Sequence, residues 1–430
     1  MKQLTRLFIP ICLETLFYML SGMVDTLMLS AVGDYAVGAV GTANSYIGIF
    51  IIMFSIISSG MVSVMTQNIG AGRPGVAYQA RQLGLLFNAV AGVLMAVFLF
   101  SGAGAILRMV GIADALYEPA LIYLKIVGGG CILNAVIPIF SSYLRAFGYT
   151  KQPLYATIVG NIANFVMNAV FLFVLHKGVA GVATATVISK ILNLCIVLYF
   201  SHKLISAKNS TERIANKTVL GQIVKVGLPS ACETALYNVA MMLVIRFLNQ
   251  MDAEGLIVTA RSYTATISNF SYCVGAALAQ ANAIMTGWHI GAGELEECDR
   301  GTKRAAFVGV CVAVCMETAI VLGSGFFTDN PEMTALVRKL LAIDIVLEIG
   351  RVTNLVFGQA LKTSGDAVFP AVIASVFMFV FAVGGTWLFG ISMGLMAVGA
   401  YIGLASDECV RAVGMVWRWK TGKWRTKKLV

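Results

Sequence analysis

Apolar residues run along this chain in blocks too long for most soluble helices, and polar residues collect between them. Twelve blocks are long enough to cross a bilayer, for which a helix needs about 20 residues. They fall at 7–31, 42–66, 83–106, 121–143, 154–175, 179–200, 227–248, 257–284, 305–327, 340–361, 368–389 and 394–417. The pattern predicts an all-α polytopic membrane protein of about twelve transmembrane helices. Its connectors alternate in charge. One set carries Lys2 and Arg6, Arg73 and Arg81, Arg145 and Lys151, and Lys203, Lys208, Arg213, Lys217 and Lys225. It continues with Arg300, Lys303 and Arg304, Lys362, and the basic tail from Arg418 to Lys428. The other set is acidic: Asp34, Asp114 and Glu118, Asp252 and Glu254, Asp329 and Glu332. By the positive-inside rule both termini are expected in the cytoplasm of a plasma (inner) membrane protein, with Arg338 and Lys339 as exceptions. Glu14 interrupts the first block and no small-residue cleavage site follows a short core, so this block reads as a span and not as a cleavable signal.

The two halves repeat. Pro10-Ile-Cys-Leu-Glu14-Thr15 returns as Pro229-Ser-Ala-Cys-Glu233-Thr234, and Asn68-Ile-Gly-Ala-Gly72 returns as His289-Ile-Gly-Ala-Gly293. Leu144-Arg145-Ala-Phe-Gly148, followed by Pro153, returns as Leu361-Lys362-Thr-Ser-Gly365, followed by Pro370. Three matches in the same order at nearly one offset argue for an internal duplication. An even number of spans per half gives both the same orientation, hence two six-helix lobes related by a pseudo-two-fold axis along the membrane normal. The expected division is an amino-terminal lobe at 1–203, a cytoplasmic linker at 204–222 and a carboxyl-terminal lobe at 223–430.

Composition agrees with the pattern. Of 430 residues 58% are hydrophobic and only 12% charged, against about 25% charged in soluble domains. A net charge of +10 would suggest nucleic acid on a soluble chain. Here orientation and anionic lipid headgroups explain it, so membrane lipid is the expected partner and nucleic acid is not. Nine cysteines include no CxxC, and most sit in apolar runs as small packing residues. No GxxxxGK[ST] motif is present, which leaves no nucleotide-binding module, and Gly128-Gly-Gly130 reads as a bend or a close approach within span four. All three histidines (His176, His202, His289) fall in or beside predicted connectors, and no HExxH or Ser/His constellation suggests an enzyme.

Charge inside the blocks is where chemistry is expected. Glu14 and Asp25 lie close to three turns apart on one face of the first span, about 16 Å along the axis. A carboxylate in a spanning helix costs roughly 2.5–3.5 kcal/mol on insertion scales. That face therefore looks into the protein, at something wet. A carboxyl group held there can load and release a proton, or ligate a hard monovalent cation. Asn164 and Asn168 are i, i+4 on span five, with Asn161 on the same face. They complete either an ion site or a structural hydrogen-bond network. Glu14 and Glu233 hold equivalent places, consistent with pairing to Lys or Arg near the cytoplasmic ends or with a cation-attracting cavity wall. Asp344, Glu348 and Arg351 form one stripe on span ten, in which Glu348 pairs with Arg351 and Asp344 is left to find Arg246 or Arg261. The alternatives there are a self-neutralising cluster and a second titrating relay. Asp407, Glu408 and Arg411 suggest an ion-pair network. Tyr18, Met23, Met28, Tyr46, Tyr237, Met241 and Met242 offer polarizable surface for a plastic, cation-tolerant pocket or simply packing.

At this point the residues resemble the MATE family of multidrug and toxin extruders. The motifs are Pro10 with Val24-Asp25-Thr26, Gln67-Asn68-Ile69-Gly70-Ala71-Gly72, Leu144-Arg145-Ala146-Phe147-Gly148, Asn164-x-x-x-Asn168, and Gly181-Val-Ala-Thr-Ala-Thr186. They cover essentially the whole chain in order. The resemblance implies an antiporter that expels organic, often cationic, small molecules in exchange for H⁺ or Na⁺ by alternating access. It implies no cofactor beyond that coupling ion and no nucleotide-binding subunit, and a monomer is expected. Carried over residue by residue, the family's amino-lobe cation site falls on Asp25, Asn164, Asn168 and Thr186. Asn168 stands where some relatives have an aspartate. In the carboxyl lobe the glutamate and aspartate that some members use fall on Tyr237 and Arg351, so that second site is not transferred. A flippase for a lipid-linked precursor is the alternative of similar architecture, and a passive channel is a remoter one.

Overall fold

A computed structural model describes residues 2–205, 212–252, 256–323 and 331–430. Of the linker expected at 204–222, residues 206–211 lie outside the described residues, Lys208 with them. So do Glu254, Asp329 and the last residues of the span expected at 305–327.

Among the described residues the chain is helical throughout, with no strand. The α-helices are α1 (Lys2–Ser30), α2 (Asp34–Gly70), α3 (Pro74–Val110), α4 (Asp114–Gly129), α5 (Cys131–Ala146), α6 (Lys151–Ala169) and α7 (Gly178–Leu204). They continue as α8 (Asn216–Met251), α9 (Leu256–Ala292), α10 (Leu295–Gly323), α11 (Pro331–Ser364), α12 (Val368–Phe377) and α13 (Met396–Lys420). α4 and α5 are one apolar rod bent by 42°, and the Gly128-Gly129-Gly130 run lies at the break. Wider π-helical turns extend α6 through Val170–Val174 and α12 through Met378–Val383 and Thr386–Ser392. With α4 and α5 counted together, the described helices match the twelve predicted blocks one for one. Among the described residues eight helices, or nine spans with the bent pair, are long and apolar enough to cross a membrane. α9, α11 and α13 fall short of that length and apolarity, and each carries polar or charged residues that line the carboxyl-lobe cavity described below.

The chain divides into two compact lobes. The amino lobe comprises Ile9–Ile69 and Arg73–Gly227. The carboxyl lobe comprises Leu228–Val430 together with Met1–Phe8 and Gly70–Gly72. In the amino lobe Leu99, Leu107, Leu124 and the alanines Ala36, Ala39 and Ala43 bury completely. Asn88 of α3 donates to the carbonyls of Phe54 and Ala135, joining α3 to α2 and α5. In the carboxyl lobe α11 packs on α9, α10 and α13, around Val244, Leu248, Leu340 and Leu341. Large apolar side chains remain exposed, Leu27, Val97, Phe307 and Leu322 among them, as lipid-facing positions require.

The duplicated motifs do the same work in both lobes. Gly148 and Gly365 close α5 and α11 with φ of +84° and +98°, a left-handed conformation that costs glycine nothing. Each closure makes the same pair of bonds: Gly148 N–H to Arg145 O and Tyr149 N–H to Leu144 O, then Gly365 N–H to Lys362 O and Asp366 N–H to Leu361 O. The chain therefore stops each helix just after a basic residue and aims that residue back along the helix.

Gly350 sets the depth of the carboxyl lobe's interior. A Cβ there would stand 2.7 Å from the Cys409 nitrogen and 2.8 Å from the Glu408 carbonyl carbon, so α11 and α13 meet backbone to backbone, as small residues permit in membrane helices. That contact brings the α11 stripe against Asp407, Glu408 and Arg411. Gly350→Val is expected to destabilise the protein by about 1–3 kcal/mol through overpacking. Gly358→Ala, whose Cβ would meet only the Asn354 Oδ1 at 3.9 Å, should be neutral or stabilising. Thermal unfolding of both variants in detergent checks the contrast.

Candidate functional site

Each lobe holds its own polar cavity. In the amino lobe a cavity of about 630 Å³ is lined by residues of α1, α2, α4, α5, α6 and α7. Glu14 and Asp25 both face it, as do Asn161, Asn164 and Thr186. The face of α1 defined by positions 14 and 25 is thus turned inward, and three polar ties hold it there. Glu14 pairs with Arg145 of α5 at 2.5 Å. Asn161 of α6 donates to the Phe17 carbonyl at 2.9 Å. Asn168 of α6 donates to Asp25 at 2.8 Å and to the Asn164 side-chain Oδ1 at 3.1 Å. The i, i+4 spacing of the two asparagines is what lets Asn164 accept from the amide that holds Asp25. Thr186 lines the same cavity, but its hydroxyl donates back to the Val182 carbonyl. Its oxygen lone pairs, not its proton, are what it has to offer an ion.

Tyr123, Asn44, Asn134 and Lys190 complete this cavity, and none was singled out from the sequence. The Tyr123 hydroxyl lies beside Asn44 and Thr186. Lys190 of α7 donates to Asn134 at 2.8 Å and stands within electrostatic reach of Asp25. A usable signal existed, because Lys190 is the one charged residue of the block 179–200. The lining of the amino cavity carries two carboxylates, Glu14 and Asp25, and two cations, Arg145 and Lys190.

The carboxyl-lobe cavity, about 490 Å³, is lined by Glu233, Tyr237, Asp344, Arg351, Asp407, Glu408 and Arg411 among others. Glu233 pairs with Lys362 at 2.7 Å, the counterpart of Glu14 with Arg145. Both duplicated glutamates are therefore ion-paired and cavity-lining at once. Glu348, fully buried, pairs with Arg351. Asp344 differs from the pairing expected for it: it accepts a hydrogen bond from Ser268 at 2.5 Å, while Arg261 lines the same cavity. Arg411 joins Asp407 at 2.7 Å and Glu408 at 2.8 Å, and Asn354 donates to Glu408 at 3.0 Å. Of the methionine and aromatic side chains, Tyr18 lines the amino cavity, and Tyr237 and Met241 line the carboxyl one. Met28 and Tyr46 pack in the amino lobe's apolar core.

Comparison with known proteins adds to this geometry. The MatE family model matches residues 10–170 and again residues 229–388, one match per half. The chain is 32% identical over 428 residues to the uncharacterized transporter YisQ of Bacillus subtilis (strain 168), covering 97% of this chain and 94% of that one. It is 21% identical over 456 residues to the probable multidrug resistance protein NorM of Thermotoga maritima, covering 100% and 94%. A crystal structure of MATE in the bent conformation superposes with a TM-score of 0.86 at 20% identity, over 99% of this chain and 96% of the other. An outward-facing MATE family transporter of the MOP superfamily gives 0.84 at 20% identity, over 98% and 96%.

The Glu14–Arg145 pair yields a test. Arg145→Met leaves a buried carboxylate without its counter-charge, for a loss of about 3–5 kcal/mol. Adding Glu14→Gln should recover most of it, which thermal unfolding of the single and double variants measures.

Proposed function

The chain belongs to the MatE family of membrane transporters, and on that premise we propose that it is a secondary active multidrug efflux transporter. It exports organic, cationic or amphipathic compounds by alternating access, in exchange for H⁺ or Na⁺ taken up at Asp25. The observation that carries this reading is Asp25 itself: an acid on a spanning helix, facing a cavity and held by Asn168. The resemblance of relatives whose names include multidrug resistance supports the substrate class.

Occupancy of Asp25 has to bias a conformational equilibrium. A swing from 1:99 to 99:1 takes about 5.5 kcal/mol of differential affinity. One ion moving down 100 mV supplies about 2.3 kcal/mol, and its concentration gradient adds to that. Lys190 sets a basic group within electrostatic reach of Asp25, one that an arriving cation works against whenever it is protonated. Substrate cations compete for the same carboxylate, which makes the exchange obligatory.

Cavity charge bears on the flippase alternative. Binding the phosphates of a lipid-linked precursor favours a strongly cationic cavity. The amino cavity is balanced, and in the carboxyl cavity Glu233, Asp344, Asp407 and Glu408 match Arg261, Arg351, Lys362 and Arg411. Balanced linings suit organic cations better than polyphosphates.

Liposomes with separately imposed pH and sodium gradients test the reading. Wild type should export an organic cation uphill under one of the two gradients, and Asp25→Asn should lose at least about tenfold of that activity while its fold is unchanged. Export by Asp25→Asn at the wild-type rate would refute the assignment. Lys190→Met, which removes the charge facing Asp25, should lower the half-saturating concentration of the coupling ion by about fivefold or more.

A further inference from the structure

Residues 421–430, which follow α13, are fastened to the carboxyl lobe by their apolar side chains. Trp424 stacks on Trp419 of α13 with ring centroids 4.2 Å apart, and its indole N–H donates to the Trp419 carbonyl at 3.1 Å. Both rings are 1% exposed. Trp419 in turn donates to Asp299 of α10 at 2.7 Å. Arg425 pairs with Glu296 of α10 at 2.7 Å, and Leu429 is buried. At Gly365, the left-handed closure of α11, a Cβ would collide with the Lys427 carbonyl oxygen, so the segment lies directly on that turn. Buried anchors of this kind fix the backbone, and with it the side chains that point away.

What this clamp turns outward is charge. Lys420, Lys423, Lys427 and Lys428 are all exposed. The acids nearby are already taken: Asp366 by Arg418, Glu296 by Arg425, Asp299 by Lys303 and Glu297 by Arg300. Among the described residues no carboxylate pairs with any of the four lysines. Position along α13 says what faces them. Val413 and Trp417, 69% and 58% exposed, stand at i and i+4, on a face that suits lipid. Lys420 continues that face at i+7. The stripe thus runs from aliphatic through aromatic to basic, the order in which a bilayer passes from hydrocarbon through its interface to the headgroups. An ammonium on a long flexible stem meets phosphate oxygens as a point charge. Unanswered lysines beside a spanning helix are drawn to an anionic leaflet.

We propose that Lys420, Lys423, Lys427 and Lys428 form a binding surface for the phosphodiester headgroups of anionic membrane lipids, held in shape by the Trp419–Trp424 stack. In the orientation expected from connector charge, these lipids belong to the cytoplasmic leaflet. Bound there, they neutralise the four ammonium groups and keep the segment on the turn at Gly365. Lys362, which answers Glu233, stands in the last turn of α11 just before that glycine. The surface requires only that the chain span a membrane, so it stands or falls apart from the coupling role of Asp25.

Native mass spectrometry tests this on the full chain released from nanodiscs that hold phosphatidylglycerol and phosphatidylcholine in equal amounts. Wild type should retain phosphatidylglycerol over phosphatidylcholine by at least about fivefold. Lys420→Gln, Lys423→Gln, Lys427→Gln and Lys428→Gln combined should remove most of that preference. A control carrying Lys151→Gln, Lys217→Gln and Lys225→Gln, at exposed lysines of the amino lobe, should keep it. Equal retention of the two lipids by wild type overturns the proposal. So does a wild-type preference in the four-lysine variant, or an equal loss in the amino-lobe control, which would make the effect one of overall charge.

Discussion

A charge taken out of water has to be answered close by, and this constraint organises the interior of both lobes. Glu14 meets Arg145, and Glu233 meets Lys362. Each pair joins the first helix of its repeat, α1 or α8, to the end of the helix that the duplicated glycine terminates, α5 or α11. The glycine closes the helix, the basic residue three positions earlier stands in its last turn, and the glutamate four residues after the duplicated proline receives it. Proline, glutamate, basic residue and glycine are one device used twice. Its retention in both halves follows from the cost of leaving either charge alone.

Beyond that shared device the lobes differ in how their charges are answered. In the amino lobe Asp25 is held by a neutral group, the amide of Asn168, itself bonded to Asn164, with Lys190 at a remove. Among the described residues no salt bridge locks this acid. In the carboxyl lobe the close contact at Gly350 forces α11 and α13 together. The stripes of the two helices then merge into a network in which arginines hold three acids, Glu348, Asp407 and Glu408, while Ser268 holds Asp344 and Glu317 of α10 stands beside Ser271. The π-helical turn that follows Asn168 within the same rod places a locally irregular backbone next to the Asn168–Asp25 contact.

Much of this was legible in the sequence. Long apolar blocks, alternating connector charge and three duplicated motifs gave the helices, their number and the repeat. Each rests on local chemistry, since a helix in lipid must satisfy its own backbone whatever surrounds it. The inward turn of Glu14 and Asp25 was legible for the same reason, because an acid cannot face lipid. Helical spacing likewise put Asn164 and Asn168 together at i, i+4 and predicted the Glu348–Arg351 pair at i, i+3. Lys190 and Glu317 were missed although each is the one charged residue in its apolar block. The argument applied to Asp25 applies to both, and it would have placed each in the interior.

What the sequence by itself determined is which faces must be buried and which residues within one helix meet, because both follow from periodicity and the cost of polar groups in lipid. Which helix answers which was decided only by tertiary packing. Asp344 found Ser268 instead of an arginine, Lys190 came to stand near Asp25, and Glu317 came to lie near Asp344 and Glu348 of another helix. Those meetings depend on where backbones approach closely, at contacts such as Gly350 against Glu408 and Cys409. Distances between helices are set by the packing of all their neighbours together, and no single stretch of chain carries that information.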